Sequence, residues 1–496
     1  MSSEKHESVT REGRNSYYPT SVSKKSSTNV HFDYDLIVIG GGSAGFAAAI
    51  QAQELGAKVA LVNAGMIGGT CVNVGCVPSK TLIRAADEAH RASSSRFAGI
   101  ETDSRITDFT AIIRQKDELV ESLRQAKYID VLAAYENIEL VEGQATLRTA
   151  DTVEVGKRAI RASKIIIATG SRPWIPPITG LSEANPLTST SAFALERLPA
   201  SLIVLGGRYV ALECAQMFAR MGSHVTVLQR SDRILPTEDN DITEALTGYL
   251  REEGIQIETG VKVEEITRDG KGVTVHAQVG GRPRAFAAER ILCATGRRPV
   301  TEGFGLGKVG IHLGEDGRIE VDEGLQTSIP GVFAAGDVIG EPAFVYTAAY
   351  EGNLAARNAL AAEQKTRDYT ALPWVIFTDP QLAGVGLNEK EATAAGLEVE
   401  VSRLDLSYIP RAIAARDTRG FIKLVKERGG DRLLGARILA PEGGEQIMEA
   451  ALAIRHMIGV SELADAFHPY LTQAEGVKLC AQGFMKDVRK LSCCSA

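Results

Sequence analysis

Two segments of the chain share one pattern, in which an apolar run ends in a glycine-rich turn and continues into a helix-forming stretch. The first reads Asp35-Leu-Ile-Val-Ile-Gly40-Gly-Gly-Ser-Ala-Gly45, and the second reads Ser201-Leu-Ile-Val-Leu-Gly206-Gly-Arg-Tyr-Val-Ala211. Unbroken apolar runs of this length are typical of strands buried on both faces of a parallel sheet. Glycines in the turn let backbone amides approach a pyrophosphate at the positive end of the helix. We therefore predict an α/β fold with two Rossmann-like dinucleotide-binding domains.

Two further strands bracket the second unit. Lys164-Ile-Ile-Ile-Ala-Thr169-Gly170 and Arg290-Ile-Leu-Cys-Ala-Thr295-Gly296 both run from an apolar strand into a small-residue turn. Their repetition predicts that one dinucleotide domain is inserted within the other, and that the chain returns to the first at Gly331-Val-Phe-Ala-Ala-Gly336-Asp337. Because Asp337 follows a predicted strand, its carboxylate can accept a hydrogen bond from a ribityl hydroxyl; the alternative interpretation is a turn-forming aspartate.

The residues expected to meet the adenosine ribose depart from the usual pattern. In dinucleotide-binding folds an acidic residue stands about 20 residues after the fingerprint. The first unit has Asn63 there, and an amide accepts hydrogen bonds more weakly than a carboxylate does. In the second unit, the strand leads into Gln229 and Arg230. Without an acid to repel a 2′-phosphate, and with Arg230 or Arg233 able to pair with it, this unit favours NADPH over NADH; the alternative is ordinary surface charge.

A cysteine pair follows soon after the first fingerprint, in Cys71-Val-Asn-Val-Gly75-Cys76. In an ideal helix, residues five apart have Cα atoms about 8–9 Å from each other, beyond the limit of about 7 Å for a disulfide. The turn must therefore be distorted, which Gly75 permits. A short, strained bridge is easier to reduce than a structural one, so this pair suits redox cycling.

The other cysteines fall into two groups. Seven in a chain of 496 residues are too few for a secreted disulfide framework, and the odd count leaves at least one thiol free. Cys214, Cys293 and Cys480 stand in apolar or helical stretches and are predicted to pack as small hydrophobic residues. Cys493 and Cys494 are neighbours close to the C-terminus. Two pairs of cysteines therefore need a chemical explanation: Cys493 with Cys494, and Cys71 with Cys76, which we call the inner pair.

The net charge and the hydropathy of the chain argue against some classes of binding partner. The formal net charge of −7 and the pI of about 5.8 argue against general binding of nucleic acid or anionic membranes. No apolar run approaches the roughly 18 residues that a membrane span needs, and no signal-peptide core is present. We expect a cytoplasmic enzyme acting on small molecules. Residues 1–33 are rich in serine, threonine and mixed charge, and are predicted to form a disordered tail.

Taken in order, these elements resemble the two-dinucleotide flavoprotein disulfide reductases, class I of the pyridine nucleotide-disulfide oxidoreductases. The shared features are the first glycine turn, the Cys71–Lys80 loop, both Ala-Thr-Gly turns and Ala335-Gly336-Asp337. The resemblance implies an FAD domain at residues 34–176 and 297–368, and an NADPH domain at 177–296. It implies a C-terminal α+β dimerisation domain at 369–496, which ends in the Cys-Cys tail.

The resemblance, together with the glycine and arginine patterns above, assigns site residues. It implies that Lys80 lies near the flavin and pairs with Glu213. The candidate cofactor-binding residues are Gly40, Gly42, Ala44, Gly45, Asn63, Gly69, Thr70, Lys80, Ala145, Thr169, Gly170, Gly206, Arg230, Arg233, Gly296, Asp337 and Val345.

The C-terminal motif distinguishes members of this family. Those that reduce disulfide substrates carry His-Pro-Thr-x-x-Glu, whose histidine is the base for thiol exchange. Here the corresponding run is Tyr470-Leu-Thr-Gln-Ala-Glu475, so Tyr470 occupies the base position, and His468 lies two positions too early. A phenol with a pKa of about 10 is a poor base at neutral pH, so ordinary disulfide substrates are disfavoured.

The same segment, with Phe344-Val-Tyr346, the run 419–425 and the Cys-Cys tail, resembles the mercury(II) reductases within this family. Thiolates select soft metal ions, and two neighbouring thiols suit such an ion better than they suit a disulfide bridge. The resemblance implies a homodimer with active sites at the subunit interface. In it, Cys493 and Cys494 of one subunit collect Hg(II) and hand it to the inner pair of the other.

The resemblance also implies roles at the inner site. Cys71 and Cys76 hold Hg(II) against the flavin, with Cys76 as the thiolate nearer to it. Tyr346 and Tyr470 line the site and assist ligand exchange; the alternative for each is a half-buried packing residue. The implied reaction passes electrons from NADPH through FAD to Hg(II) and releases elemental mercury.

Two other functions stay open at this point. One is a thioredoxin-reductase-like enzyme whose C-terminal cysteines relay electrons to a protein disulfide. The other is a flavoprotein that sequesters soft metals without turnover. Many mercury(II) reductases also carry an N-terminal metal-trapping domain; residues 1–33 hold no cysteine, so we expect that domain to be absent and metal capture to depend on the tail.

Overall fold

A computed structural model describes residues 31–93 and 95–490. The predicted N-terminal tail lies almost wholly outside the described residues. Cys493 and Cys494 also lie outside them, so their proposed role is a matter for experiment.

The largest sheet has seven strands, and its central part is parallel in the order β3-β2-β1-β6-β16, with β5 and β4 continuing from β6 as an antiparallel extension. Its apolar strands are buried on both faces, as their unbroken runs predict: Ile37, Leu61 and Ile166 expose no surface. The strands are β1 (Tyr34–Ile39), β2 (Val59–Asn63), β3 (Ile138–Glu142), β4 (Ala145–Thr149), β5 (Thr152–Val155), β6 (Arg158–Ile167) and β16 (Val332–Ala334).

A second parallel sheet, in the order β10-β9-β8-β14, contains the second glycine turn. An antiparallel sheet of three strands packs beside it, and a two-stranded sheet forms where the chain enters and leaves this part of the molecule. The strands are β7 (Ser171–Pro173), β8 (Ser201–Leu205), β9 (His224–Leu228), β10 (Gln256–Glu258), β11 (Val261–Asp269), β12 (Gly272–Val279), β13 (Arg282–Ala288), β14 (Arg290–Cys293) and β15 (Arg297–Pro299).

Helices cover these sheets, and two of them begin at the glycine turns. A π-helical turn at Gln125–Ile129 joins two of the others, and a 3₁₀ turn spans Asp337–Ile339. The helices are α1 (Ser43–Glu54), α2 (Gly69–Val74), α3 (Cys76–Ser93), α4 (Phe109–Arg124), α5 (Asp130–Ala133), α6 (Ser189–Ala192), α7 (Tyr209–Arg220), α8 (Asn240–Glu252), α9 (Leu306–Val309) and α10 (Val345–Leu360).

The C-terminal part is an antiparallel sheet in the order β17-β18-β21-β20-β19, with helices packed on it. Short 3₁₀ turns lie at Leu406–Tyr408 and Val488–Lys490. The elements are β17 (Trp374–Ile376), β18 (Gln381–Gly386), α11 (Glu389–Ala394), β19 (Val399–Asp405), α12 (Pro410–Ala414), β20 (Phe421–Glu427), β21 (Leu433–Ala440), α13 (Gly443–His456), α14 (Val460–Asp465) and α15 (Glu475–Gln482).

The predicted fold class is confirmed: two Rossmann-like parallel sheets, the second inserted within the first, are followed by an α+β unit. The passages into and out of the insertion pair with each other, since Arg297 of β15 lies opposite Pro173 of β7. The residue numbers chosen for the domain boundaries stay predictions.

A buried ionic cluster around Arg220 joins the three parts. The Arg220 guanidinium, whose side chain is 2% exposed, donates to Asp87 at 2.5 Å, to Glu253 at 2.6 and 2.8 Å, and to Asp379 at 3.0 Å. These carboxylates belong to α3, to the end of α8 and to the loop after β17. A desolvated ion pair is retained only where every charge has a partner, so this arginine holds three chain segments in one arrangement.

We predict that Arg220→Leu destabilises the protein by about 3–5 kcal/mol, because the buried Asp87 and Glu253 lose their closest counter-ion, although Arg419 still pairs with Asp379 at 2.9 Å. The measurement is thermal unfolding followed by circular dichroism. Arg282→Leu, at an exposed position on β13, removes the same charge and is expected to leave the melting temperature unchanged. Equal melting temperatures for the two variants would contradict the structural role of Arg220.

Candidate active site

The cysteine pair lies at a break between two helices. Helix α2 ends at Val74, and α3 begins at Cys76, with Gly75 at φ −125° and ψ −106° between them. A Cβ on Gly75 would stand 2.9 Å from the Thr70 carbonyl oxygen, so this position requires glycine for close approach rather than for a left-handed backbone. The distortion expected from the spacing is therefore present. Both cysteines are thiols in the structure, Cys71 half-buried and Cys76 exposed.

The two thiols differ in acidity. A hydrogen bond from the Cys71 thiol, aided by the charge of Lys80, lowers the pKa of Cys76 to about 7. The pKa of Cys71 is raised strongly, because it donates to Cys76 and is desolvated. Above about pH 7 the pair therefore holds one thiolate, on Cys76, with a proton on its neighbour.

Lys80 and Glu213, predicted to pair, are joined in the structure: Lys80 Nζ lies 2.7 Å from Glu213 Oε2. The other carboxylate oxygen of the buried Glu213 accepts the backbone amide of Phe377 at 3.0 Å. The Phe377 ring lies under the Lys80 ammonium, 4.5 Å from its centroid. Phe377 is not among the site residues predicted from the sequence. It belongs to the C-terminal unit, so all three parts of the chain meet at this ion pair.

Aromatic side chains form a stacked wall beside the cysteines. Tyr346 stacks on Phe344 with ring centroids 5.2 Å apart, and the stack continues through Tyr209 to Trp374. The Tyr346 hydroxyl donates to the Pro373 carbonyl at 2.5 Å. Desolvation and the charges of Tyr209 and Cys76 raise the pKa of Tyr346, so its hydroxyl keeps its proton. Tyr346 is thus close enough to Cys76 for the two groups to interact electrostatically, and its phenol is neutral.

Tyr470 and His468 lie between α14 and α15, far along the chain from the cysteine loop. Tyr470 is 52% exposed. His468, in contrast, is largely buried, and its Nε2 lies 2.7 Å from Glu449 Oε1 while Nδ1 faces the Ala466 carbonyl. Both ring nitrogens of His468 are therefore engaged within the fold.

The first glycine turn forms a cradle that FAD fits. Helix α1 begins after Gly42 with no side-chain cap and no acidic residue in its first turn, so its leading amides are available to a pyrophosphate. Gly69 packs against Gly42 so closely that a Cβ on Gly69 would stand 2.6 Å from the Gly42 Cα atom. Gly40 has φ +114°, and a Cβ on Gly45 would stand 1.8 Å from the Gly40 carbonyl oxygen. These glycines keep the cradle open to a phosphate group.

Asp337 stands at the far side of this cradle within a polar chain. Ser171 Oγ donates to the Asp337 carboxylate at 2.6 Å, and Arg297 Nε donates to Ser171 Oγ at 2.8 Å. The Arg297 guanidinium also reaches Thr70 Oγ1 at 3.5 Å, and burial lowers its pKa. Ser171 and Arg297 were missed, although each directly follows the glycine of an Ala-Thr-Gly turn.

Asn63 is engaged inside the cradle loop. Its side-chain oxygen accepts the Gly41 amide at 3.1 Å, and its side-chain nitrogen donates to the Gly65 carbonyl at 2.5 Å. The carboxamide thus fixes the glycine turn, and the oxygen keeps one lone pair for a ribose hydroxyl. Its contact with FAD stays a prediction.

The remaining predicted FAD positions surround the same region. Ala44 is buried in the first turn of α1, Ala145 starts β4, Val345 starts α10, and Thr169 Oγ1 donates to the Val300 carbonyl at 2.6 Å. Gly170 and Gly296 follow the strand ends at positive φ, with open space where a Cβ would stand.

The second glycine turn fits a nicotinamide dinucleotide. Helix α7 also begins without a side-chain cap and without an acid in its first turn. Gly206 has φ +115°, and a Cβ there would stand 2.4 Å from the Ala294 carbonyl oxygen. Arg230 is exposed just beyond β9, and the buried Nε of Arg233 has no partner among the described residues. The Arg233 guanidinium donates through Nη2 to the Pro236 carbonyl at 2.8 Å, and Gln229 stands where the usual acid would repel a phosphate.

Among residues 31–93 and 95–490, no group of three or more His, Cys, Asp or Glu side chains is arranged to hold a metal ion. Within the described part of one chain, a soft ion at the inner site would thus meet two thiols.

This combination of two dinucleotide cradles and a dithiol beside the first of them defines a flavin- and nicotinamide-linked dithiol enzyme. The chain belongs to the pyridine nucleotide-disulphide oxidoreductase family: residues 34–352 match the model of that name, and residues 372–481 match the model of its dimerisation domain.

Comparison with known proteins shows which members of this family the chain is similar to. The chain is 46% identical over 471 residues to a mercuric reductase of Streptomyces lividans, covering 94% of this chain and 99% of that protein. It is 43% identical over 477 residues to a mercuric reductase of Staphylococcus aureus, covering 95% and 87%. It superposes on the Cu(II) complex of the HOCl-induced flavoprotein disulfide reductase RclA from Escherichia coli with a TM-score of 0.82 and 31% identity, covering 91% of this chain and 99% of that one.

Across the described ranges, no helix combines the length and apolar character that crossing a lipid bilayer requires.

We predict that the Cys76 thiol of the reduced protein is alkylated by iodoacetamide with a midpoint near pH 7, since its pKa is lowered to about 7 and the reactive thiolate forms above that pH. The rate is measured in a Cys493→Ala/Cys494→Ala background, in which the tail thiols are gone. Burial raises the pKa of both Cys214 and Cys480 to about 12, so neither contributes.

Replacing Cys71 by Ala or Lys80 by Met removes a group that favours the Cys76 thiolate, and should move the midpoint up toward the free-cysteine value of about 8.5. A midpoint that stays near pH 7 in both variants would show that the thiolate has another cause.

Proposed function

We propose that this chain is a mercuric reductase, which uses NADPH and FAD to reduce Hg(II) to elemental mercury. The observation that carries the proposal is the dithiol at Cys71 and Cys76 beside a dinucleotide cradle, in a chain whose base position for thiol exchange holds Tyr470. The two mercuric reductases named above match at least 94% of the chain, which supports the same reading.

NADPH and FAD, when bound, supply the electron pair, so that Hg²⁺ and NADPH yield Hg⁰, NADP⁺ and a proton. The chain's own contribution begins with the Cys76 thiolate, which attacks the Hg(II) of a thiol complex and displaces one thiolate ligand. Cys71 then displaces the second ligand and passes its proton to that departing thiolate, which leaves as a thiol. The substrate is thereby held between two sulfur atoms, the ligands that a soft ion prefers.

The surrounding groups favour this exchange. Lys80, fixed by Glu213 and Phe377, keeps a positive charge beside the thiolate and the flavin cradle. Tyr346 presents a neutral hydroxyl near Cys76, which can donate a hydrogen bond to a departing thiolate once it releases the Pro373 carbonyl. Neither residue needs to transfer a proton to a disulfide sulfur, and the fold offers no free histidine for that task at this motif, since both ring nitrogens of His468 are engaged.

We also propose that the active site is completed in a homodimer, for which the matched dimerisation domain provides the basis. Large apolar side chains of this domain are exposed in the single chain: Met448 and Leu452 on one face of α13, Met457 after it, and Phe467 almost completely. Burying such groups stabilises association. In the proposed dimer, Tyr470 and the Cys-Cys tail of one subunit face the inner cysteines of the other. A cytoplasmic location, where NADPH is available, stays a prediction.

We predict that Cys71→Ala and Cys76→Ala each abolish NADPH oxidation driven by thiol-bound Hg(II), because one sulfur cannot hold and present the ion. The assay follows NADPH absorbance while mercury vapour is trapped, with oxidised glutathione and oxidised thioredoxin as parallel substrates. Cys480→Ala, which removes a buried thiol of the C-terminal core, is the control and should retain activity.

Mercury vapour with the first substrate alone supports the proposal. Full activity after loss of either inner cysteine would refute the mechanism, and turnover of thioredoxin with inhibition by Hg(II) would instead make the tail an electron relay. A colourless protein that binds Hg(II) without oxidising NADPH would indicate sequestration.

We predict that Cys493→Ala/Cys494→Ala lowers the rate about tenfold when Hg(II) is supplied with little free thiol, since a tethered pair of thiols raises the local concentration of the ion at the inner site. In excess thiol, small mercury complexes reach Cys76 directly, and the variant should approach the wild-type rate. Equal rates at low thiol would exclude a delivery role for the tail.

A further inference from the structure

Arg208 is the one residue of the second fingerprint that the proposed function leaves unexplained. It stands where the middle glycine of such a fingerprint usually lets the backbone approach the pyrophosphate, in Gly206-Gly-Arg208-Tyr-Val-Ala211. The first fingerprint, in contrast, has Gly42 at the same place. A bulky cation therefore occupies the entrance of one nucleotide cradle and not of the other.

The backbone explains why an arginine is tolerated there. Arg208 is the residue before helix α7 and has φ −111° and ψ −170°, an extended conformation open to any residue. Of the two glycines before it, Gly206 is required by its positive φ, and Gly207 is favoured because a Cβ there would stand 3.1 Å from the Gln229 side chain. Glycine thus stands where the backbone or close packing favours it, and Arg208 stands where the backbone accepts any residue.

The Arg208 side chain is available to a ligand. It is exposed, and none of the described residues forms a hydrogen bond or ion pair with it. The first turn of α7 holds no acid that would compete for it. The nearby Glu238 is buried and pairs with Arg437 at 2.7 Å. Glu341 is another carboxylate close enough to act on Tyr209.

Topology separates Arg208 from the other two arginines of the site. Strands β8 and β9 run parallel with Leu205 opposite Leu228, so both end at the same edge of the sheet. Arg208 follows the end of β8, at the start of the helix where a pyrophosphate binds, whereas Arg230 and Arg233 follow the end of β9, where the adenosine ribose is recognised. The cations therefore lie at two different parts of a bound dinucleotide.

We propose that Arg208 is a pyrophosphate-binding residue of the NADPH site, in which a guanidinium side chain supplements the helix amides. This inference rests on the proposed function in that it takes the second cradle as the NADPH site. It predicts that Arg208 strengthens the binding of NADPH and NADH by the same factor, because both carry the pyrophosphate, and that the choice between them belongs to Arg230 and Arg233.

The test is isothermal titration calorimetry of the oxidised, FAD-loaded enzyme with NADP⁺ and with NAD⁺. Arg208→Gln should weaken both ligands about tenfold, the loss expected for one charge-assisted hydrogen bond to phosphate. Arg208→Lys, which keeps the charge but not the planar fork, should fall between. Arg230→Gln should weaken NADP⁺ and leave NAD⁺ unchanged. Arg282→Gln, on the exposed end of β13, controls for the change in net charge and should alter neither.

The outcomes distinguish failure of the Arg208 assignment from failure of the proposed function. Equal losses for NADP⁺ and NAD⁺ in Arg208→Gln support the assignment. A loss confined to NADP⁺ would place Arg208 at the 2′-phosphate, and unchanged affinities would show that it binds neither group; both results overturn the proposal. Failure of the wild-type enzyme to bind NADP⁺ would instead refute the proposed function. Thermal unfolding of each nucleotide-free variant confirms that the fold is intact.

Discussion

The ion pair between Lys80 and Glu213 is the contact on which the site depends. Lys80 lies one turn beyond Cys76 on α3, and Glu213 lies on α7, the helix of the second nucleotide cradle. Near the other end of the same two helices, Asp87 pairs with Arg220 at 2.5 Å. Two ion pairs hold the dithiol helix against the nucleotide helix; Arg220 and Asp87 are buried, whereas the Lys80 side chain is one-third exposed. Because Phe377 closes the first pair from the C-terminal unit, the charge beside the thiolate depends on all three parts being docked.

The same fold can reduce disulfides or a metal ion, and the difference lies in what surrounds the dithiol. A disulfide substrate needs a base that exchanges protons near neutral pH. Here Tyr470 holds that position, Tyr346 keeps its proton, and His468 is bonded to Glu449. Reduction of a soft ion needs sulfur ligands and an electron source instead. The chain supplies the sulfur ligands without the base, which is why the chemistry favours Hg(II).

The two glycine turns share one sequence pattern but differ in the side chains around them. In the first, Asn63 reaches across to the Gly41 amide and so stiffens the turn from the end of the neighbouring strand. In the second, Gln229 packs on Gly207, and Arg208 adds a cation at the helix start. One cradle is thus built to be rigid and the other to carry positive charge, which suits a tightly held cofactor and an exchanging one, respectively.

The sequence by itself determined the two dinucleotide folds, the insertion of one in the other, and the broken helix between the cysteines. Those features follow from local requirements: Gly40 has φ +114°, and its Cβ would stand 2.2 Å from a carbonyl oxygen, so few residue types fit. Only the tertiary structure decided that Phe377 caps Glu213 and that Arg297 reaches Thr70. Such contacts join segments more than a hundred residues apart, and they depend on packing, burial and the field of distant charges, which no local pattern encodes.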